Sequence, residues 1–249
     1  MQKIILITGG SQGIGAATAY HAAKMGYYVC INYMQNSKAA DDVVRLIRAN
    51  GGNAVAIQAD VSNENEVITL FERIDTTVGK ITALVNNAGI IESQSRFIDM
   101  TAERITKIFA TNVVGSFLCA REAIKRMSTK LGGGGGSIVN LSSVAGRLGA
   151  PGEYVDYAAS KGAIDTMTIG LAKEVADENI RVNAVRPGII FTDIHAKGGD
   201  PGRVERLQQT HIPLKRGGQP EEVANAIMWL LSDEASYITG SILDVTGGR

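Results

Sequence analysis

The sequence predicts an α/β fold, a doubly wound, seven-stranded parallel sheet with helices on both faces. Three observations predict it. Short apolar runs alternate with longer helical patterns along all 249 residues. The runs are continuously apolar and rich in Val and Ile, which marks strands buried on both faces. No shift in composition divides the chain, so one domain over 1–249 is expected.

The strand runs are "KIILIT" (3–8), "YVCINY" (28–33), "NAVAIQ" (53–58), "ALVN" (83–86), "SIVNLS" (137–142), "IRVNAVR" (180–186) and "SILDV" (241–245). Between them, helical spacing predicts helices near 14–25, 37–49, 64–78, 102–130, 157–177 and 220–232. Such alternation builds a parallel sheet through helical crossovers. "GGGGG" (132–136) joins a helix to a strand and is read as a surface turn.

Composition excludes several classes of function. The formal net charge is +0, which argues against nucleic acid or an anionic membrane as the main partner. Cys30 and Cys119 lie in apolar stretches with no metal-binding spacing. They read as buried free thiols in a reducing compartment, and no metal is expected. The chain opens directly on a strand, with no signal-peptide pattern and no apolar run of spanning length. A cytoplasmic protein is the expectation.

The first strand runs into "ITGGSQGIG", which opens the first helix. Gly9, Gly13 and Gly15 permit a tight turn and the close approach of a pyrophosphate to a helix N-terminus. Strand before and helix after is the context a dinucleotide-binding, Rossmann-type loop requires. The end of the second strand should then select the cofactor. An acid about 20 residues on would hold a ribose hydroxyl and repel a 2′-phosphate. Residues 27–40 contain none; Asn32, Tyr33, Ser37 and Lys38 stand there instead. NADP(H) is favoured, with NAD(H) the alternative, and Gln12 adds no charge to the glycine loop.

"EYVDYAASK" (153–161) offers two tyrosines and a lysine. Only Tyr157 stands four residues from Lys161, on the same helix face. Lowering a phenol from about 10 to about 7 requires roughly 4 kcal/mol. One cation about 5 Å away, at an effective dielectric near 20, supplies about 3 kcal/mol. The expectation is that Lys161, with the oxidised nicotinamide ring, depresses the Tyr157 pKa. Tyr154 reads as pocket wall or lid, or as surface packing.

In order along the chain, "TGGSQGIG" (8–15), "NNAG" (86–89), Asn112, Ser143, "YAASK" (157–161) and "PGIIFT" (187–192) resemble the short-chain dehydrogenase/reductase family. The resemblance covers essentially the whole chain. It implies a catalytic set of Asn112, Ser143, Tyr157 and Lys161. Gly9, Ser11, Gly13, Ile14 and Gly15 would line the pyrophosphate. Asp60 and Val61 would hold the adenine, and Asn87, Ala88 and Gly89 would flank its ribose. Pro187, Gly188, Ile190 and Thr192 would enclose the nicotinamide. A water on the Asn112 carbonyl would relay protons to Lys161. The family also commonly forms homotetramers through the two long helices and the C-terminal region. Ala158, Ala159, Gly162 and Ala163 would allow close approach there, with Trp229 and Leu230 either core or interface.

Substrate walls are expected from 90–97, 147–154 and 195–204, the last being glycine-rich and long enough for a mobile lid. Glu153, Tyr154 and His195 are candidate contacts beside Ser143 and Tyr157. The mixture of charge and apolarity suits a small polar metabolite such as a sugar or polyol. Three readings compete. One resembles glucose 1-dehydrogenase, and another resembles 3-oxoacyl-carrier-protein reductase. The second would want basic residues where "ADEN" (176–179) stands, although Arg121, Lys125, Arg126 and Lys130 lie nearby. The third is a non-catalytic NADP(H) sensor, which the complete catalytic set weighs against.

Overall fold

The computed structural model describes residues 2–249. Seven strands form one sheet: β1 (Ile4–Ile7), β2 (Tyr28–Tyr33), β3 (Asn53–Gln58), β4 (Ala83–Asn86), β5 (Gly136–Leu141), β6 (Ile180–Pro187) and β7 (Ile242–Val245). All pairings are parallel, in the order β3-β2-β1-β4-β5-β6-β7. Strand order reverses between β1 and β4, and open α/β sheets bind ligands beyond the strand ends at such a point.

Helices cover both faces. On one side lie α1 (Gly13–Lys24), α2 (Ser37–Ala49) and α10 (Pro220–Leu231); Ile5, Ile7, Val29 and Ile31 pack there against Val43, Ile47, Val223 and Ile227. On the other lie α3 (Glu64–Thr77), α5 (Gly115–Met127) and α7 (Val155–Glu174), where Leu6, Leu84 and Ile138 meet Leu70, Phe71, Met127 and Ile164. Neighbouring residues of one strand thus serve opposite cores, which explains the unbroken apolar runs. Cys30 and Cys119 are free and fully buried, and burial pushes each thiol up to about 12.

The single helix expected over 102–130 is three pieces. α4 (Ala102–Phe109) passes through a π turn (Ala110–Val114) into α5, which ends at Met127. Two contacts set the break. The Asn112 amide is committed to the backbone of Ile90, accepting from its N–H at 2.8 Å and donating to its carbonyl at 3.0 Å. Gly115 passes so close to the loop after β3 that a Cβ would meet the Val61 carbonyl at 3.0 Å. The loop expected over 195–204 likewise contains structure. α8 (Ile194–Lys197) and α9 (Arg203–His211) flank a short turn, and α9 seats Val204 and Leu207 on Ile189 and Ile212. Two further differences are minor: α6 (Ala145–Leu148) forms after β5, and α7 starts two residues before the expected 157.

Candidate active site

A cleft of about 670 Å³ opens at the carboxyl ends of the strands, over the β1/β4 reversal. Its floor is the glycine loop. Gly9 has φ +60°, and a Cβ there would press within 3.0 Å of the Ala88 Cα. Gly15 does not face the cleft; its Cβ would strike the Gly9 carbonyl at 2.5 Å and the Asn87 amide nitrogen at 2.6 Å. Its role is therefore to let the loop fold onto β4. Asn87 completes that junction by donating to the carbonyls of Thr8 and Gly9, at 2.8 and 3.0 Å.

α1 has no side-chain cap on its N-terminal N–H groups and no acid in its first turn. α3, by contrast, is capped by Asn63 and carries Glu64 and Glu66. The α1 terminus, bordered by Ser11, Gln12, Gly13 and Ile14, thus presents donors and a positive dipole end to the cleft. This cradle fits a dinucleotide pyrophosphate. Asp60, Val61, Asn87, Ala88 and Gly89 line the cleft, as do Pro187, Gly188, Ile190 and Thr192.

Two residues expected at the 2′-phosphate are placed otherwise. Asn32 is 2% exposed; its amide donates to the Ala59 carbonyl at 2.9 Å and accepts from the Gly9 N–H at 3.3 Å. It stitches β2 to β3 and the glycine loop, so its donors are spent. Ser37 lies outside the cleft wall, where Tyr33, Met34, Gln35 and Asn36 stand. Asn36 caps α2 by accepting from the Ala39 N–H at 3.0 Å.

The candidate catalytic side chains converge at the other end. Strand alternation divides the serines: Ser142 is buried and donates to the Lys161 carbonyl at 3.2 Å, whereas Ser143 faces the cleft. Ser143 Oγ accepts from the Ala145 N–H at 3.1 Å and lines the cleft together with Tyr157. Lys161 Nζ donates to the Leu141 carbonyl at 2.7 Å and lies 5.6 Å from the Tyr157 ring centre. Asn112 is wholly buried behind this set; its amide also donates to Ser160 Oγ at 3.1 Å.

The lysine distance agrees with expectation, but Lys161 by itself does not depress the tyrosine. Burial pushes the Tyr157 phenol up, with only partial relief from Ser143. Burial also lowers Lys161 to about 8, against a smaller opposing pull from Asp165. The cost of taking a phenolate and an ammonium out of water exceeds their pairwise attraction. Any depression of the phenol must therefore draw on a further positive charge in the cleft.

The substrate end is roofed. Tyr154 is 4% exposed, which excludes the surface-packing reading, and its hydroxyl donates to the Gly198 carbonyl at 3.0 Å. Arg203 holds Glu153 through both nitrogens, at 3.2 and 2.5 Å, and stacks over the Tyr154 ring at 5.3 Å. Glu153 therefore serves as a latch for the segment above the cleft. His195 Nε2–H donates to the Ile190 carbonyl at 2.9 Å, so the ring braces the wall; burial lowers its pKa. Sequence reasoning did not find Thr111 and Arg249, which also line the cleft, and held Arg203 only within the expected wall 195–204. No local motif marks Thr111 and Arg249, because one arrives from a π turn and the other from beyond β7.

Fold and cleft together define a dinucleotide-dependent oxidoreductase. A family model described as enoyl-(acyl carrier protein) reductase matches residues 9–249. The chain is 60% identical over 246 residues to the uncharacterized oxidoreductase YgfF of Escherichia coli, covering 99% of both chains. It is 42% identical over 247 residues to a 3-oxoacyl-[acyl-carrier-protein] reductase of Synechocystis, covering 99% of this chain and 96% of the relative. Glucose 1-dehydrogenase 2 of Bacillus subtilis is 38% identical over 247 residues, covering 99% and 94%. The chain belongs to the short-chain dehydrogenase/reductase family, whose members use NAD(P)(H). Among the described residues no helix is long and apolar enough to cross a membrane.

Proposed function

We propose that this protein interconverts a carbonyl and a secondary alcohol on a small polar, sugar- or polyol-like metabolite, with NADP(H) as the favoured cofactor. The observation that carries this reading is the convergence of Ser143, Tyr157 and Lys161 on the cleft, with Lys161 Nζ 5.6 Å from the tyrosine ring centre. When bound, the cofactor supplies or accepts the hydride. Ser143 hydrogen-bonds the substrate oxygen and fixes its position. Tyr157 O–H gives that oxygen a proton during reduction and takes it back during oxidation. Lys161 holds positive charge beside the resulting phenolate and hydrogen-bonds the nicotinamide ribose. The Asn112 carbonyl accepts from Ser116 Oγ at 3.0 Å and keeps a second lone pair for a water that refills the proton through Lys161.

NADP(H) is favoured because no acid stands at the end of β2, although Asn32 no longer contributes. Tyr33, Gln35 and the exposed Ser37 and Lys38 remain near that edge. Fluorescence titration with NADPH and with NADH tests this directly. Tighter binding of NADPH is expected; equal or tighter NADH binding would move the assignment to NAD(H).

The 3-oxoacyl-carrier-protein alternative rests on the Synechocystis relative. The cations that could receive an acidic carrier are already engaged. Lys130 pairs with Asp177 and Glu178, while Arg121, Lys125 and Arg126 surround the buried Glu122. That weighs toward a free small molecule. A single-domain, cytoplasmic homotetramer completes the proposal. Phe117 and Ile169 are 50% and 41% exposed on the two long helices, and Trp229 is 38% exposed while Leu230 is core. Light scattering of a tetramer's mass is expected; a monomer at micromolar concentration would refute that part.

A further inference from the structure

The roofed end of the cleft carries an uneven charge balance. Five charged side chains stand there besides Lys161: Glu153, Asp193, Lys197, Arg203 and Arg249. Arg203 is held by Glu153 through two hydrogen bonds, and Asp200, 3.6 Å from Arg203, is taken up by Arg206. Asp193 and Lys197 are exposed, opposite in sign, and four residues apart at the short helix α8. Arg249 remains. Its guanidinium has no hydrogen-bond or carboxylate partner among the described residues, yet it is half-buried in the cleft wall.

The backbone around it is fixed. Arg147 donates to the Arg249 carbonyl at 2.8 Å and is itself held by Asp244 at 2.7 Å. The neighbourhood disfavours an unpaired cation: burial and the adjacent Arg203 both lower the Arg249 pKa, with Glu153 only partly compensating. A guanidinium in a partly dehydrated site beside a second guanidinium is stabilised by an incoming oxyanion, which its planar fork can hold through two hydrogen bonds.

From this geometry we infer that Arg249 is a specificity-determining residue, and that the substrate carries an oxyanion, a carboxylate or phosphate, which Arg249 receives at the roofed end while its carbonyl or hydroxyl lies at Ser143 and Tyr157. This deepens, and rests on, the oxidoreductase reading. The roof limits such a substrate to a small acid. The Tyr154–Gly198 hydrogen bond and the Arg203–Glu153 pair close the space above it. The substrate class thereby narrows from polyols in general to hydroxy and oxo acids, sugar acids or sugar phosphates.

The test needs no turnover. Malonate and its uncharged dimethyl ester are titrated calorimetrically into the protein saturated with NADPH, wild type and Arg249→Met. Saturation with NADPH keeps the anion out of the cofactor's own phosphate sites. A charge-assisted pair is worth enough for about a tenfold preference. Malonate should bind wild type at least about tenfold more tightly than the ester, and the two should bind alike in Arg249→Met. Equal binding in wild type overturns the inference. So does a preference that survives in Arg249→Met, which would assign the anion to Lys161. Failure of the oxidoreductase reading shows differently, as NADPH that does not bind or that reduces no carbonyl compound. Paired assays of oxo acids and their esters then separate carboxylate from phosphate substrates.

Discussion

Replacing Tyr157 by Phe cuts turnover by at least about a hundredfold while the cofactor still binds. Only the hydroxyl is lost; the ring, the helix and the Lys161 contact over that ring remain. Positioned proton transfer contributes about 10²–10⁴-fold, and kcat should fall by that order. NADPH titration serves as the control, since an unfolded variant would lose cofactor binding as well. A variant that keeps more than about a tenth of wild-type kcat would remove Tyr157 from the chemistry. The wild-type pH profile gives an independent check. Lys161 loses its proton near 8 because it is buried, so kcat/KM for reduction should decline on the alkaline side of about 8. A profile flat to the ordinary lysine range would contradict the role given to that ammonium.

The second large effect concerns stability. Asp156 opens the helix that carries Tyr157, with its side chain 1% exposed. It receives Arg104 through two hydrogen bonds, at 2.6 and 3.3 Å, and the Tyr157 N–H at 2.9 Å. Arg104 also donates to the Ser93 carbonyl at 2.6 Å, so one ion pair ties α4, the loop after β4 and the start of α7. Removing one member of such a pair strands the other in a dry site. Asp156→Ala should lower unfolding free energy by about 3 kcal/mol. Replacing both members by apolar residues should recover much of that loss, because the desolvation cost of both charges is then relieved. Urea unfolding of the two variants decides it. A midpoint for Asp156→Ala matching wild type would show that water reaches the pair.

Much of this architecture is legible in the sequence, for reasons that can be named. Four-residue "ALVN" and six-residue "YVCINY" and "NAVAIQ" form strands at their expected bounds, since buried parallel strands need unbroken apolar runs between polar turns. The glycine loop is legible because strand, glycines and helix are consecutive. Tyr157 and Lys161 are legible because helical spacing alone juxtaposes them. What escaped reading depends on distant partners. The break at Asn112 comes from Ile90, which lies 22 residues away. Asn32 looked like a phosphate donor until β3 supplied its partner at Ala59. Glu153 lines the cleft as expected, but its pairing through both oxygens with Arg203, 50 residues on, was not legible. The burial of Tyr157, which leaves Lys161 alone insufficient, escaped for another reason. Helical spacing reports the distance to a cation, but not how far both groups are removed from water.

The most direct test of the central claim follows the hydrogen itself. NADPH dideuterated at the nicotinamide C4 is incubated with the protein and a small carbonyl compound that it reduces, and the alcohol is analysed by mass spectrometry. Wild type should place one deuterium on the carbinol carbon, and Tyr157→Phe should form that product at least about a hundredfold more slowly. Alcohol formed by wild type without that deuterium would contradict hydride transfer in this cleft.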